Sequence, residues 1–263
     1  MTGNNVTFMD AFVAPYVNNF YAIGAVTLVW FIVQFTAKAF MNIYSAKFRA
    51  LTEMQKTELA SRIVSILNGI TMTGSAYLFL REMSRNNWQF HHRIYDEVPG
   101  YAFFRIAIVG YFQWDTITCI YDRWGAMWTI HGLASLLGTT ALLYPFCDLH
   151  AMYFTGMFEL SNVPLHIAEI VKVLGVMPTV RTVCEGLFVL MYLGIRVIGG
   201  TITSLDFIRA MWELAQQGAH HPPTIYFCIT INAIIMALQY IWFVKIIGMV
   251  YQVLSGGSKE KKQ

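Results

Sequence analysis

Apolar residues come along this chain in runs long enough to cross a bilayer. A spanning helix needs about 20 mostly apolar residues for a hydrocarbon core of about 30 Å. On that rule we read about seven spans, at 20–40, 63–80, 101–120, 126–146, 151–176, 183–200 and 224–254. The fifth is interrupted by Glu159, Asn162, Pro164 and Glu169, which predicts a kinked helix or two half-spans. Leu205, Ile208, Met211, Trp212 and Ala215 recur at helical spacing opposite Asp206, Arg209, Glu213 and Gln216, predicting a short amphipathic helix in the interface. His220-His221-Pro222-Pro223 then breaks the chain before the last span. The pattern predicts an all-α, polytopic transmembrane helix bundle. It divides into an N-terminal segment (1–19), a first transmembrane helix (20–40), a membrane domain (41–254) and a basic polar tail (255–263).

Composition agrees. Of 263 residues only 13% are charged, about half the share in soluble domains, and 56% are hydrophobic, which excludes a water-soluble enzyme. A formal charge of +3 without a basic stripe excludes nucleic acid as a partner. Cys119, Cys147, Cys184 and Cys228 stand alone in apolar segments and read as buried free thiols. The pairs His91-His92 and His220-His221 read as loop histidines, so no metal site is expected. The first residues lack the basic n-region of a signal peptide, so the first span should remain in the mature protein.

The short connections set the orientation. Lys38, Lys47, Arg49, Lys56, Arg62, Arg123, Lys172, Arg181 and the tail lysines fall on one side. Arg81, Arg85, Arg93 and Arg209 fall on the other, offset by Glu82, Asp96, Glu97, Asp206 and Glu213. The bias predicts a cytoplasmic or matrix C-terminus and an N-terminus across the membrane. Asn5-Val6-Thr7 is then a sequon on the lumenal side, read as unused. Lys259 and Lys261 sit where a dilysine retrieval receptor reads a tail, which favours the endoplasmic reticulum; the alternative is the mitochondrial inner membrane.

Ionisable groups inside a membrane cost a few kcal/mol each and mark sites or buried pairs. Asp115, His131, Glu159, Glu169, Glu185, Arg196 and Lys245 fall within spans, joined by Asn68, Asn162 and Asn232. Glu185 and Arg196 are eleven positions apart, which puts them on one face of a regular helix. On the second span Ser61, Ser65, Gly69 and Thr73 form a small-residue stripe for close helix packing. The candidate lipid-binding polar cavity comprises Asn68, Asp115, His131, Glu159, Ser161, Glu185, Arg196 and Asn232.

Several segments are similar to motifs of one family, in order. Gly110-Tyr111-Phe112-Gln113-Trp114-Asp115 resembles the GYxxxD segment of the TLC (TRAM, LAG1 and CLN8) domain family. Ile130-His131-Gly132 resembles its IHH segment, and Glu159-Leu160-Ser161 its ExS motif. Arg62-Ile63-Val64-Ser65 resembles the RxxS opening the second span, and Arg196 falls in an FxxxRI-like run. The resemblance implies a lipid-linked membrane protein of internal membranes. The family includes ceramide synthases, in which a histidine pair is implicated in acyl transfer. Here the second place of that pair is Gly132, and Asn68 stands where many relatives place a histidine. His150 and His166 are too far along the chain to fill the gap locally.

The expectation is therefore a non-catalytic TLC-domain protein that binds or organises lipid, with no catalytic residue and no cofactor beyond a bound phospholipid or sphingolipid. Its partners are membrane lipids. One alternative is an accessory subunit of a larger membrane complex, for example respiratory, with other membrane subunits as partners. A second is a ceramide-synthase-like acyltransferase, for which His131 and Asp115 would be the catalytic residues.

Overall fold

Seven long helices account for the bundle in the computed structural model, which describes residues 6–90, 94–218 and 221–255, the side chains at 253 and 254 excepted. They are α1 (Phe20–Tyr44), α2 (Glu53–Arg85), α3 (Tyr101–Tyr121), α4 (Ala126–Ala141), α5, α6 and α7 (Pro222–Leu254). Helix α5 runs without a break through Asp148–Met152, a π-helical stretch Tyr153–Met157, and Phe158–Leu174. Helix α6 likewise joins Pro178–Met191, a π-helical stretch Tyr192–Gly199, and Gly200–Gln217. No strand occurs among the described residues.

Local chemistry sets the boundaries. Thr52 and Gln55 close a reciprocal capping box ahead of α2. Pro178 and Pro222 open α6 and α7, where the missing N–H has no helical partner to lose. Gly175 and Gly218 stop α5 and α6 in the left-handed conformation, at φ 59° and 65°. Helix α4 ends at Ala141 and not at residue 146, because Pro145 lies in the predicted extension and cannot donate to the ladder.

The helices close into a ring in the order α1, α2, α5, α6, α7, α4, α3 and back to α1. Small residues bring α2 and α5 together: a side chain at Gly156 would begin in contact with the Ala76 backbone nitrogen, and one at Gly69 would meet the Glu159 carbonyl at 3.1 Å. On the small-residue stripe Ser61 and Ser65 are buried and hydrogen-bonded across helices, whereas Thr73 is exposed.

Four helices are long and apolar enough to cross a membrane: Phe20–Tyr44, Glu53–Arg85, Pro178–Gln217 and Pro222–Gln252. The apolar window of α2 is 50% buried, against 22% in the other three, so α2 is the inner strut and α1, α6 and α7 present their apolar sides outward. The chain is an integral membrane protein. Helices α3, α4 and α5 fall short of the same measure; α4 has only 16 residues, about 24 Å of rise. The ring holds them between its longer members.

One expectation is corrected, and an open alternative for the fifth span is narrowed. Residues 205–216 are not a separate interfacial helix; they continue α6, and their buried face is Phe207, Ala210, Met211 and Leu214, while Leu205 and Trp212 are exposed. Apolar spacing alone does not reveal which side of such a stretch meets protein and which meets lipid. The fifth span is one helix with a π-helical stretch, and Pro164 sits inside it without breaking it. All four cysteines are free and buried. His221 is described; Asn5, His91, His92, Arg93, His220, Lys259, Lys261 and Lys262 lie outside the described residues.

The His221 backbone N–H donates to the Val6 carbonyl at 2.9 Å, fixing residue 6 beside the start of α7. The 33 residues of α7 then rise about 50 Å to the other end of the ring. Tags at the two ends of the chain should therefore lie on opposite sides of the membrane. Protease accessibility of both tags from one side of sealed vesicles would overturn this arrangement.

Candidate functional site

The site starts from a problem of charge. Glu159 and Arg196 are each only 4% exposed, yet they make no direct ion pair. Asn162, one turn beyond Glu159 on α5, joins them. Its Nδ2 donates to Glu159 Oε2 at 3.2 Å and its Oδ1 accepts from Arg196 Nη2 at 2.9 Å. The amide thus turns its donor to the anion and its acceptor to the cation. Asn68 on α2 donates a second hydrogen bond to Glu159 Oε2, at 3.0 Å.

Arg196 has further acceptors. Nε donates to Ser161 Oγ at 2.7 Å, Nη2 to the Phe158 carbonyl at 2.7 Å, and Nη1 to Gln239 Oε1 on α7 at 3.1 Å. Its guanidinium carbon lies 5.0 Å from the centre of the Phe158 ring and 5.7 Å from that of Tyr192. Tyr192 donates to the Gln239 side chain at 2.9 Å. One hydrogen-bonded chain therefore runs across the ring from α2 through α5 and α6 to α7.

The two π-helical stretches set this register. Tyr153, opening one, donates through its hydroxyl to the Ile195 carbonyl inside the other at 2.7 Å. Such stretches shift every later side chain around the helix axis relative to regular 3.6-residue winding. The shift explains why Glu185 and Arg196 do not share a face. Arg196 points inward, while Glu185 is half-exposed and bonds to Arg181 at 2.7 Å.

Beside the chain lies a partly open cavity between α3, α4, α5, α6 and α7. Its walls are mostly apolar, with Phe112, Phe154, Phe158, Phe207, Phe227 and Ile231 among them. His131, Glu159, Arg196, Asn232 and Gln239 face it. His131 Nδ1, Asn232 Oδ1 and Gln239 Nε2 are buried and have no partner among the described residues. A buried polar group left unsatisfied costs about 1–3 kcal/mol, so these three are atoms that a ligand could answer.

Of the eight proposed cavity residues, His131, Glu159, Arg196 and Asn232 line the cavity, and Asn68 and Ser161 bond directly to those that do. Asp115 sits behind, on α3, where a side chain at Gly132 would begin 3.3 Å from its Oδ2 and 3.1 Å from Thr116 Oγ1. No hydrogen bond joins Asp115 to His131. The His131 ring instead packs edge-on near Trp242, 5.0 Å away, and Phe112, 6.3 Å away. His150 bonds to Asp206 at 2.7 Å, and His166 approaches Arg62 at 3.5 Å; neither lines the cavity.

The sequence reading passed over Gln239 and Tyr192. A lone amide in the middle of an apolar span is the signal that would have found Gln239. It also passed over Arg105, which lies in the third predicted span and forms a buried ion pair with Asp148. Asp148 also accepts from the Val98 N–H at 2.8 Å.

A family model of the TLC domain matches residues 58–248. The chain belongs to the TLC domain family. The match runs from the first turns of α2 into the last turns of α7 and leaves α1 outside it. No curated protein matches the chain.

Breaking the amide link should be costly. Asn162→Leu separates Glu159 from Arg196 and leaves two buried charges short of partners, a loss of about 3 kcal/mol. Thermal unfolding in mild detergent should show a clearly lowered midpoint, with the exposed Leu190→Val as the control. An unchanged midpoint would mean that the bridge does not hold the bundle.

Proposed function

We propose that this TLC-domain protein is a non-catalytic lipid-binding protein, which holds a lipid with its polar end at the His131, Asn232 and Gln239 side of the internal cavity. The observation that carries the reading is the contrast inside one cavity, where apolar walls surround three buried polar atoms without partners. An amphiphile supplies both the chain for the walls and the polar atoms for the handles. Ligand pockets of this kind combine a hydrophobic lining with a few placed polar groups.

The packing at Gly132 argues against acyl transfer. Its face of α4 is filled by Asp115 and Thr116, and no carboxylate orients His131, whose Nδ1 has no partner. A general base needs a group that fixes its ring and tautomer within hydrogen-bond reach. The same proposal assigns the protein to the endoplasmic reticulum. Co-localisation with mitochondrial inner-membrane markers would favour the complex-subunit alternative, as would co-migration with a large assembly after gentle solubilisation.

Two variants test the lipid site. Asn232→Leu removes one polar handle, and Ser135→Phe fills the cavity beside it. Each should lower the lipid co-purifying with the protein about tenfold, the equivalent of one net hydrogen bond or more. Mass spectrometry of the released lipid reads this directly. Undiminished lipid in both variants would remove the cavity from consideration. Acyl transfer from acyl-CoA to a long-chain base that is lost in His131→Ala would replace the reading with an enzymatic one.

A further inference from the structure

A second pocket opens at the end of the ring where α2 and α4 begin and α5 approaches its end. It is lined by Glu58, Arg62, Ser65, Trp124, Trp128 and His166, among others. Arg62 Nη2 bonds to Glu58 Oε1 at 2.5 Å, and Arg62 Nη1 stands 3.5 Å from His166 Nδ1. Arg62 Nε is buried without a partner among the described residues. The Trp128 ring packs at a tilt against that of Trp242, with centres 5.5 Å apart. The pocket lies at the Lys38, Lys47 and Lys56 end of the molecule, and paired tryptophans there fit the headgroup level of a bilayer.

We propose that this pocket binds the zwitterionic headgroup of a phospholipid, the phosphate at Arg62 and the ammonium group between Glu58 and the tryptophan faces. The charges of Glu58 and Arg62 cancel, so a purely anionic head would meet Glu58 as a repulsion. A neutral head would leave the guanidinium fork without a phosphate to hold. A zwitterion answers both, because guanidinium groups match phosphate oxygens and tryptophan faces attract ammonium groups. The inference goes beyond the internal cavity and stands without it.

The test uses the full-length protein in detergent, titrated with phosphatidylcholine, phosphatidylglycerol and diacylglycerol of identical acyl chains and read by native mass spectrometry. The wild type should retain phosphatidylcholine over phosphatidylglycerol by about fivefold, the scale of exposed cation–π and ion-pair contacts. Glu58→Gln, at a half-exposed position, should bring the two phospholipids near parity. Arg62→Gln should erase the preference for phosphatidylcholine over diacylglycerol, and Trp128→Ala should weaken phosphatidylcholine alone. Ser135→Phe, which fills the other cavity, should leave the headgroup preference intact, so the two sites fail separately. Equal retention of all three lipids by the wild type would overturn the proposal and reduce Glu58 and Arg62 to a surface ion pair. A wild-type preference for phosphatidylglycerol would overturn it in favour of an anionic head.

Discussion

The bundle depends on a single amide that faces two opposite charges. Glu159 and Arg196 are too deeply buried to be left alone, and Asn162 serves both, donating to one and accepting from the other. In a low-dielectric interior a charge must be paired and hydrogen-bonded, or it destabilises the fold by several kcal/mol. The arrangement spreads the two charges over Asn68, Ser161, Gln239 and the Phe158 carbonyl, so four of the seven helices share in holding them. Since lipid tails on the outside are as apolar as the interior, helices have little hydrophobic reason to associate. Shared hydrogen bonds and close packing then decide where each helix lies.

Close packing supplies the other half. Gly156 lets α5 approach α2 until the backbones nearly touch, and this approach brings Asn68 within reach of Glu159. The π-helical stretches of α5 and α6 adjust the register that a regular helix would impose. Tyr153 reaches from one to a carbonyl of the other, and a side chain at Gly199 would begin on the Tyr153 hydroxyl. Backbone irregularity, small residues and polar chain form one device: none of the three would place Arg196 correctly without the others.

Much of this was legible in the residues. Runs of apolar length give seven long helices close to the predicted positions, and the polar positions 68, 159, 161 and 196 do come together. What remained hidden follows from the physics of the solvent. Lipid accepts an exposed apolar stripe, so the spacing of Leu205, Ile208 and Trp212 does not mark the inside, and the buried face is that of Phe207, Ala210, Met211 and Leu214. A π-helical stretch has no distinct composition, so Glu185 and Arg196 were placed on one face by a winding that the chain does not follow. Gln239 and Arg105 were within reach of the same reasoning that found Asn232 and Glu159, since each is a polar side chain in an apolar run.

The contrast between Arg196 and His131 bears on how this member of the family works. Arg196 is held on all sides by hydrogen bonds and by two aromatic rings, so its charge serves the architecture and has little left for a ligand. His131 has no such support: its Nδ1 is unpartnered, its neighbours are aromatic, and the next residue is a glycine pressed on α3. Catalysis asks for the reverse, a reactive group fixed by its surroundings and a charge free to act on the substrate. A binding site asks only that polar atoms be available where a ligand can reach them. In this ring the polar groups around Arg196 bond to one another, whereas His131 Nδ1, Asn232 Oδ1 and Gln239 Nε2 in the cavity lining have no partner among the described residues.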